Sequence, residues 1–463
     1  MKMRVVFLAL GSLLVLSSPA GSSEELVRLT LTESIKQALE GNLDIKIAES
    51  QLQKMEPQIT QREASFKPNL SVELDPATLA GPLDSLNYEP QARLSASLLT
   101  KMGTTYRLTL EHDYSYSLSP EEDEGEDERI NTSLSLTFTQ KILPHPRVDA
   151  SYLALEKSLV NLRQKTLALE EEKNRLRLKV TANFYDILKR QREIELKNLY
   201  LEQVGKDLLV VKDKVDNQSA SELDLLNAQM QVANAEDAVF QSQDELSRSS
   251  REFKYLLGID PEVKIEWVAE SQYEPEPLDL NLEEAVREAL ANRGEIERQK
   301  LSIKQDELDL ALTKSRISPS LNLSGGYSYT ELEKGEYKAS LIFQIPLTDG
   351  GAGRAEIEEA SIGLKESYLN LEKIERDIGT EVENYFLDLQ RRARKIELSR
   401  LSQNWYEKDL EIARTRFLGG SITKNELKEK EIDFKQAEIS LLDALLDYET
   451  ARSTFLKSLG RKL

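Results

Sequence analysis

The residue types that usually carry enzymatic chemistry are scarce in this chain. It contains no cysteine, which excludes thiolate nucleophiles, disulfides and thiolate metal sites. Its two histidines, His112 and His145, lie in one region of strand-like sequence, and no glycine-rich phosphate loop follows a strand. The many carboxylates occupy polar positions between periodic apolar residues, so no acid–base pair can be identified around a cleft. We therefore predict that the protein is not an enzyme and holds neither a metal nor a cofactor.

The composition indicates an elongated helical protein that is not a nucleic-acid binder. Charged residues make up 31% of the 463 residues and aromatic residues only 6%, which argues against one compact core. The net charge of -20 leaves no basic face dense enough for a phosphate backbone.

The first twenty residues have the pattern of a secretory signal peptide. Lys2 and Arg4 precede an apolar run from Val5 to Leu16, and small residues follow up to Ala20. A membrane anchor is the alternative, but a helix of this length falls short of the roughly 30 Å of a hydrocarbon core. We predict cleavage after Ala20 and export.

Two segments have the apolar periodicity of unusually long helices. In residues 351–418 apolar side chains recur at heptad spacing, and in residues 149–215 a leucine repeats every seven residues. Each helix would be roughly 100 Å long at 1.5 Å per residue. Such helices need equally long partners, and we predict that they pack against each other. The periodic residues are Ile357, Leu364, Leu371, Ile378, Tyr385, Leu389, Ile396, Leu410 and Phe417 in one segment, and Leu155, Leu162, Leu169 and Leu176 in the other.

The chain reads as two structural repeats. Residues 30–68 align with 281–319 at an offset of 251, and residues 180–258 align with 382–460 at an offset of 202. Each repeat begins with a helix-capping motif, Thr30 with Glu33 and Asn281 with Glu284. In each repeat a proline, Pro68 or Pro319, ends a helix and precedes alternating residues. A helix-to-strand transition is therefore predicted twice.

The repeats divide the chain into predicted segments. A signal peptide (1–20) is followed by repeat 1 (21–258), a linker with a possible strand (259–277) and repeat 2 (278–463). Repeat 1 comprises short helices, strands at about 69–141, a long helix at about 149–215, a tip at 216–221 and a return helix to 258. Repeat 2 comprises helices, strands at about 320–346, a long helix at about 351–418, a tip at 419–423 and a return helix to 460.

The predicted strands alternate between apolar and polar residues. Residues 106–116, 131–140 and 337–345 each place apolar side chains on one face, with tyrosines near the strand ends. A membrane barrel with lipid outside and water inside produces this pattern. A soluble antiparallel sheet that covers a core produces it too, and the local sequence does not decide between them.

Taken together, these features resemble the TolC-type outer-membrane efflux protein family over nearly the whole mature chain. The resemblance rests on the repeated Ala38-Leu39 and Ala289-Leu290 motifs, the repeated proline before a strand, residues 345–351 (IPLTDGG) and the tip residues 416–420 (RFLGG). It implies a mainly α fold with a β-barrel. In that fold a homotrimer combines a tunnel of antiparallel coiled-coil helices with a shared 12-stranded barrel, to which each protomer gives four strands. Our sequence count is six candidate strands; we expect hairpins at about 104–141 and 320–346 in the membrane and part of 69–99 outside it.

The resemblance also implies a function and partners. It predicts an outer-membrane exit duct of a tripartite efflux pump or type I secretion system, which passes small molecules, metals or polypeptides. Its partners would be a periplasmic adaptor, an inner-membrane transporter and outer-membrane lipid. The competing interpretation is a secreted periplasmic coiled-coil scaffold or adaptor without a barrel, which accounts for the helices but not for the strands.

Site residues follow from the family's tip motif, counted from Gly420. The entrance carboxylates fall on Glu426 and Glu429, and Asp224 takes the acidic position in the other tip. Ile422 stands where the family has a locking arginine, and Lys430 replaces a small residue, so the closed state must be held otherwise. Ordinary solvated helix surface is the alternative role for the three carboxylates. The residues predicted to dock the adaptor are Asp216, Asn217, Gln218, Ser219, Phe417, Leu418, Gly419, Gly420 and Ser421.

Overall fold

A computed structural model describes residues 27–76, 78–80, 87–117, 129–268, 280–331 and 335–461. The predicted signal peptide and part of the predicted linker lie outside these residues. In chain order the elements are β1 (Val27–Leu29), α1 (Leu31–Gly41), α2 (Leu43–Gln53), α3 (Met55–Ala64), β2 (Asn69–Asp75), β3 (Leu79–Ala80), β4 (Asn87–Tyr88), β5 (Gln91–Leu99), β6 (Thr104–Ser117), β7 (Arg129–Leu143), α4 (Ala150–Asp216), α5 (Glu222–Leu257), β8 (Ile265–Trp267), α6 (Leu282–Asn292), α7 (Gly294–Ile317), β9 (Ser320–Thr330), β10 (Glu336–Gln344), α8 (Ala352–Leu418) and α9 (Lys424–Ser458).

The helices lie side by side in a row. The long helix α4 packs against α5 in one hairpin, α8 packs against α9 in the other, and α4 and α9 join the hairpins. Nearer the sheet, α3 packs against α4 and α7 packs between α4 and α8. The outer members of the row are therefore α8 on one side and α5 with α3 on the other. Among the described residues, no helix has a stretch apolar enough to span a bilayer.

Each repeat has its own aromatic core. In repeat 1, Phe184 and Phe253 are fully buried with ring centroids 6.4 Å apart, and Trp267 of β8 packs against both. In repeat 2, the rings of Phe386 and Phe455 lie 5.9 Å apart. The two phenylalanine pairs are related by the offset of 202 found in the sequence, so the repeats use the same helix contacts.

The helices before the strands differ between the repeats. In repeat 2, α7 is continuous from Gly294 to Ile317, whereas the corresponding stretch of repeat 1 is divided into α2 and α3 at Lys54. Pro68 directly precedes β2 and Pro319 directly precedes β9. Strand β8 lies in the predicted linker with a possible strand, and its parallel pairing with β1 joins the beginning of the described chain to the segment between the repeats.

The strands form one antiparallel sheet at the end of the helical row. Its six long strands follow the order β2-β5-β6-β7-β9-β10, and the short β3 and β4 extend beside the end of β6. The resemblance implied four strands for each protomer, with part of residues 69–99 set apart. In the structure, β5 pairs with β6 over nine residues and β2 pairs with β5 over seven. These two strands therefore continue the sheet of the other four.

Candidate gate at the helical tips

The two helical tips have the same local geometry. Residues 216–221 join α4 to α5, and residues 419–423 join α8 to α9. Gln218 and Gly420 occupy equivalent positions, and both adopt left-handed backbone conformations, with φ of 57° and 71°. Equivalent hydrogen bonds close each helix: the N–H of Ser219 donates to the Lys214 carbonyl, and the N–H of Ser421 donates to the Arg416 carbonyl. The equivalence of residues 202 positions apart therefore includes the backbone conformation of the turns.

Two of the three predicted gate carboxylates cap helices. Ser221 Oγ donates to Asp224 Oδ2 at 2.7 Å, and the N–H of Thr423 donates to Glu426 Oε2 at 2.7 Å. Each carboxylate thus completes a capping box at the start of a return helix. These hydrogen bonds favour the ionised form and hold the pKa of both carboxyl groups below their ordinary values. Both groups are exposed to solvent and stay charged at neutral pH.

Glu429 and Lys430 lie one turn further along α9. Glu429 is exposed and takes no part in the cap. The ammonium group of Lys430 lies 3.0 Å from Asp409 of α8 and 3.7 Å from Asp433. The hydrogen bond to Asp409, together with the two carboxylate charges, raises the pKa of Lys430. Lys430 therefore binds the neighbouring helix, and Glu429 is the carboxylate of this segment that remains available to a ligand.

A second polar contact joins the two hairpins near the tips. Asn425 Nδ2 of α9 donates to Asp207 Oδ1 of α4 at 2.5 Å, and the buried Gln203 donates to the same carboxylate at 3.2 Å. Asp207 and Asp409 are equivalent under the offset of 202, and each receives a donor from α9. The sequence analysis missed these residues because polar side chains of long helices carry no sign of their cross-helix partners.

One of the docking residues predicted from the sequence, Phe417, lines a cleft near the tip. Leu418 is almost fully exposed, while Phe417 lines a cavity of about 280 Å³ between α4, α8 and α9. Gln203, Leu427 and three lysines share this lining: Lys206, Lys424 and Lys428. Glu431 also lines the cleft and pairs with Lys428, so the tip offers apolar side chains beside a rim of mixed charge. Ile422 is only partly buried and has no charge to lock a neighbour.

Comparison with known proteins finds a family match in the second half of the chain. Residues 285–461 match the family model "Outer membrane efflux protein". This part of the chain, which makes up most of repeat 2, is similar to that family. The chain is also similar to "Nodulation protein T" of Rhizobium leguminosarum bv. trifolii, at 19% identity over 280 residues. That alignment covers 58% of this chain and 59% of the relative.

Solved structures of outer-membrane proteins share the fold of this chain. CusC matches with 16% identity and a TM-score of 0.66, over 97% of this chain and 96% of CusC. The Campylobacter jejuni CmeC outer membrane channel matches with 12% identity and a TM-score of 0.67, over 93% of this chain and 85% of CmeC. The Vibrio cholerae outer membrane protein VceC matches with 13% identity and a TM-score of 0.65, over 93% of this chain and 96% of VceC.

These findings confirm the predicted fold class, a TolC-like combination of long helical hairpins and β-strands. CmeC, one of the structures that share this fold, is an outer membrane channel.

Proposed function

We propose that this protein is the exit duct of an export machine in the outer membrane of a Gram-negative-type bacterium, reached through an N-terminal signal peptide. In this proposal it serves a tripartite efflux pump or a type I secretion system and passes small molecules, metals or polypeptides. It acts as a homotrimer, and its helical tips dock on a periplasmic adaptor coupled to an inner-membrane transporter. The match of residues 285–461 to the efflux family supports the general role. The observation that supports the assembled duct is a second apolar stripe on the outer helices.

Helix α8 is apolar on two opposite sides. One side faces the core of the protomer with Ile378, Val382, Leu389 and Ile396. The other side is exposed, and at 3.6 residues per turn its large apolar residues all fall on that one side. Trp405, toward the tip end of this set, is 60% exposed. We call this the α8 stripe, and its members are Ile362, Leu369, Leu387, Leu398, Leu401, Trp405 and Ile412.

The opposite end of the helical row has a matching surface. Helix α5 buries Ala228, Ala235 and Val239 against its own hairpin. Its other face exposes an apolar set that we call the α5 stripe: Leu223, Leu226, Met230, Phe240 and Tyr255. Exposed apolar surface of this extent marks an interface. Because the two stripes are different surfaces at opposite ends of one row, their contact is heterologous, and a heterologous contact can close a ring of protomers.

The open edges of the sheet also favour a ring of protomers. Its outer strands, β2 and β10, each have one edge without a partner strand in the described protomer. Open edges of this kind pair with another chain unless they are protected. One ring of protomers can therefore bury the α5 and α8 stripes and pair the open strand edges. Such a ring encloses a continuous passage from the sheet to the tips.

The tips would form the narrow end of this passage. Asp224, Glu426 and Glu429 would repeat around the axis, and such a ring of carboxylates favours cations and binds multivalent blocking ions. Since Ile422 replaces the expected arginine, we propose that the contacts of Asp207 with Asn425 and of Asp409 with Lys430 hold the closed tips. Both contacts tie α9 to a neighbouring long helix at the level of the gate.

The experiment that tests the duct combines location, assembly and conductance. We expect the mature protein in the outer-membrane fraction, a trimer that dissociates on heating in detergent, and ion-conducting channels after reconstitution into planar bilayers. The scaffold alternative predicts a soluble periplasmic monomer without conductance. Recovery of that soluble monomer would contradict the proposed function.

A further inference from the structure

The apolar face of the sheet extends across all six long strands. Register places six nonpolar residues side by side in one row, each on a different strand. The adjacent row, on the opposite face, is polar throughout. The apolar row is Leu70, Ala96, Leu108, Leu136, Tyr327 and Tyr337, and the polar row is Ser71, Ser95, Thr109, Ser135, Ser328 and Glu336.

Strands β2 and β5 have one apolar face and one polar face, as strands of a membrane barrel do. Leu70, Val72 and Leu74 of β2 are 65–69% exposed on the apolar face. On the polar face, Arg93 of β5 forms ion pairs with Glu73 of β2 and Glu111 of β6. Three aliphatic side chains in a row fit lipid on one side, and charged partners fit a water-filled lumen on the other. A hairpin outside the bilayer would expose the aliphatic row to water.

The connections are arranged as in a spanning sheet. Strands β5 and β6 are joined by a tight turn at residues 100–103, where Gly103 lies against Pro146, just before α4 begins. This turn is at the helical end of the sheet. The ends at which β2 precedes β5, β6 precedes β7 and β9 precedes β10 all lie on the other side, and each pair is separated there by more residues than β5 and β6 are. Short turns on one side and longer loops on the other are typical of outer-membrane barrels.

Strand β5 also occupies the edge that a four-strand contribution would need. If each protomer gave only β6, β7, β9 and β10, then β10 of one protomer would pair with β6 of the next. Residues 105–113 of β6 are already paired with residues 91–99 of β5. The available edges are those of β2 and β10, and the alternating directions of six strands make a β10–β2 contact between protomers antiparallel.

We infer that all six long strands of each protomer span the membrane, so that the trimer closes an eighteen-stranded barrel instead of the twelve-stranded one that the resemblance implied. This inference rests on the proposed trimeric duct. Because barrel diameter grows roughly linearly with strand number, the barrel would be about one and a half times as wide as a twelve-stranded one. Three copies of the Glu73–Arg93–Glu111 cluster would line its lumen. Such a width suits bulky cargo at the exit.

Single cysteines can test the inference because the natural chain has none. Val72→Cys and Ser71→Cys report on β2, and Leu108→Cys and Thr109→Cys provide the matched reference pair on β6. In trimers reconstituted into liposomes, we expect a water-soluble maleimide to label positions 71 and 109 and to leave 72 and 108 unlabelled. A lipid-phase quencher should act on a fluorophore at positions 72 and 108 only.

The reference pair separates the possible failures. If position 109 is labelled and 108 is not, while 71 and 72 are both labelled freely, β2 lies outside the bilayer. The proposed duct is then retained and the eighteen-stranded barrel is overturned. If 108 and 109 are also both labelled, the sheet does not line a membrane pore, and the proposed function fails with it.

Crosslinking between protomers gives an independent test. Ser340→Cys on β10 is combined either with Ser71→Cys or Glu73→Cys on β2, or with Thr109→Cys on β6. With a short bismaleimide, we expect crosslinked dimers and trimers from the β2 combinations and none from the β6 combination. Crosslinking through position 109 alone would show that β10 meets β6 and would overturn the proposal.

Discussion

The carboxylates at the tips have a structural role that the sequence did not show. Asp224 and Glu426 each complete a capping box, so their charge stabilises the start of a return helix whatever passes between them. Their depressed pKa means that this stabilisation is complete above the pKa of the unfolded chain and is lost as the pH falls through the folded pKa. Glu429 has no such role and is the better test of the gate.

We expect Glu429→Gln to weaken both the cation selectivity and the divalent block of the reconstituted channel. Three identical charges leave the narrow end, and the local cation concentration falls with them, by roughly tenfold in block affinity. Current–voltage measurements under a salt gradient would show the change. Glu222→Gln, an exposed carboxylate at the other tip, is the control. Unchanged selectivity in Glu429→Gln and in the double variant with Glu426→Gln would refute the gate assignment.

The equivalent turn positions allow a matched test of backbone strain. Gln218 holds a left-handed φ of 57°, where Gly420 stands in the other tip. We expect Gln218→Gly to stabilise its turn by about 1 kcal/mol and Gly420→Gln to destabilise its turn by a similar amount. A side chain at 420 meets open space, so sterics do not contribute. Hydrogen exchange of the tip amides is the measurement, and equal exchange rates in both variants and the wild type would contradict the expectation.

Among the elements, the ends of the return helices are held by backbone-to-backbone contact. A Cβ at Gly258 would lie 2.5 Å from the Gly41 carbonyl oxygen, and one at Gly460 would lie 2.8 Å from Asn292. Both glycines also have positive φ. The short helices α1 and α6 can therefore pack at the ends of α5 and α9 only if these positions lack a side chain.

Gly258→Ala should lower the stability of repeat 1 by about 2 kcal/mol or more, because strain and a clash add. Gly350→Ala is the matched control: Gly350 has the same φ of 69° but meets nothing within 4 Å, so only the conformational cost of about 1 kcal/mol remains. Thermal unfolding of the purified trimers compares the two. Equal losses would show that the contact with Gly41 does not matter.

At the level of the whole molecule, the α5 and α8 stripes make the protomer incomplete alone. We expect the pair Leu401→Glu with Trp405→Glu to prevent assembly, because two charges would be buried without partners in the contact between protomers. Asn404→Glu adds a charge on another exposed side of the same helix and should leave assembly intact. Detergent gel mobility with and without heating would distinguish trimer from monomer. A stable trimer of the double variant would exclude the α8 stripe as the interface.

Much of this protein could be predicted from its sequence because the relevant signals are local or repeated. Long paired helices are indicated by the heptad spacing along 351–418 and by the repeat at an offset of 202 residues. The two repeated prolines indicate that a helix is followed by a strand in each repeat. Periodicity reports which face of an element is buried, so the long helices and the strands followed from it, whereas the barrel followed from the resemblance to a known family. The capping boxes at Thr30 and Thr423 are equally local, since each needs only residues one turn apart.

Tertiary structure was needed wherever partners are distant in the chain. The sequence of residues 69–99 does not predict that β5 pairs with the edge of β6. Strand pairing depends on the register between two segments and not on the alternation within each. The contacts of Asp207 with Asn425 and of Asp409 with Lys430 likewise join helices that the periodicity treats separately. The sequence therefore determined which elements form and which faces they bury. Only their packing decided how many strands share one sheet and which groups tie the tips together.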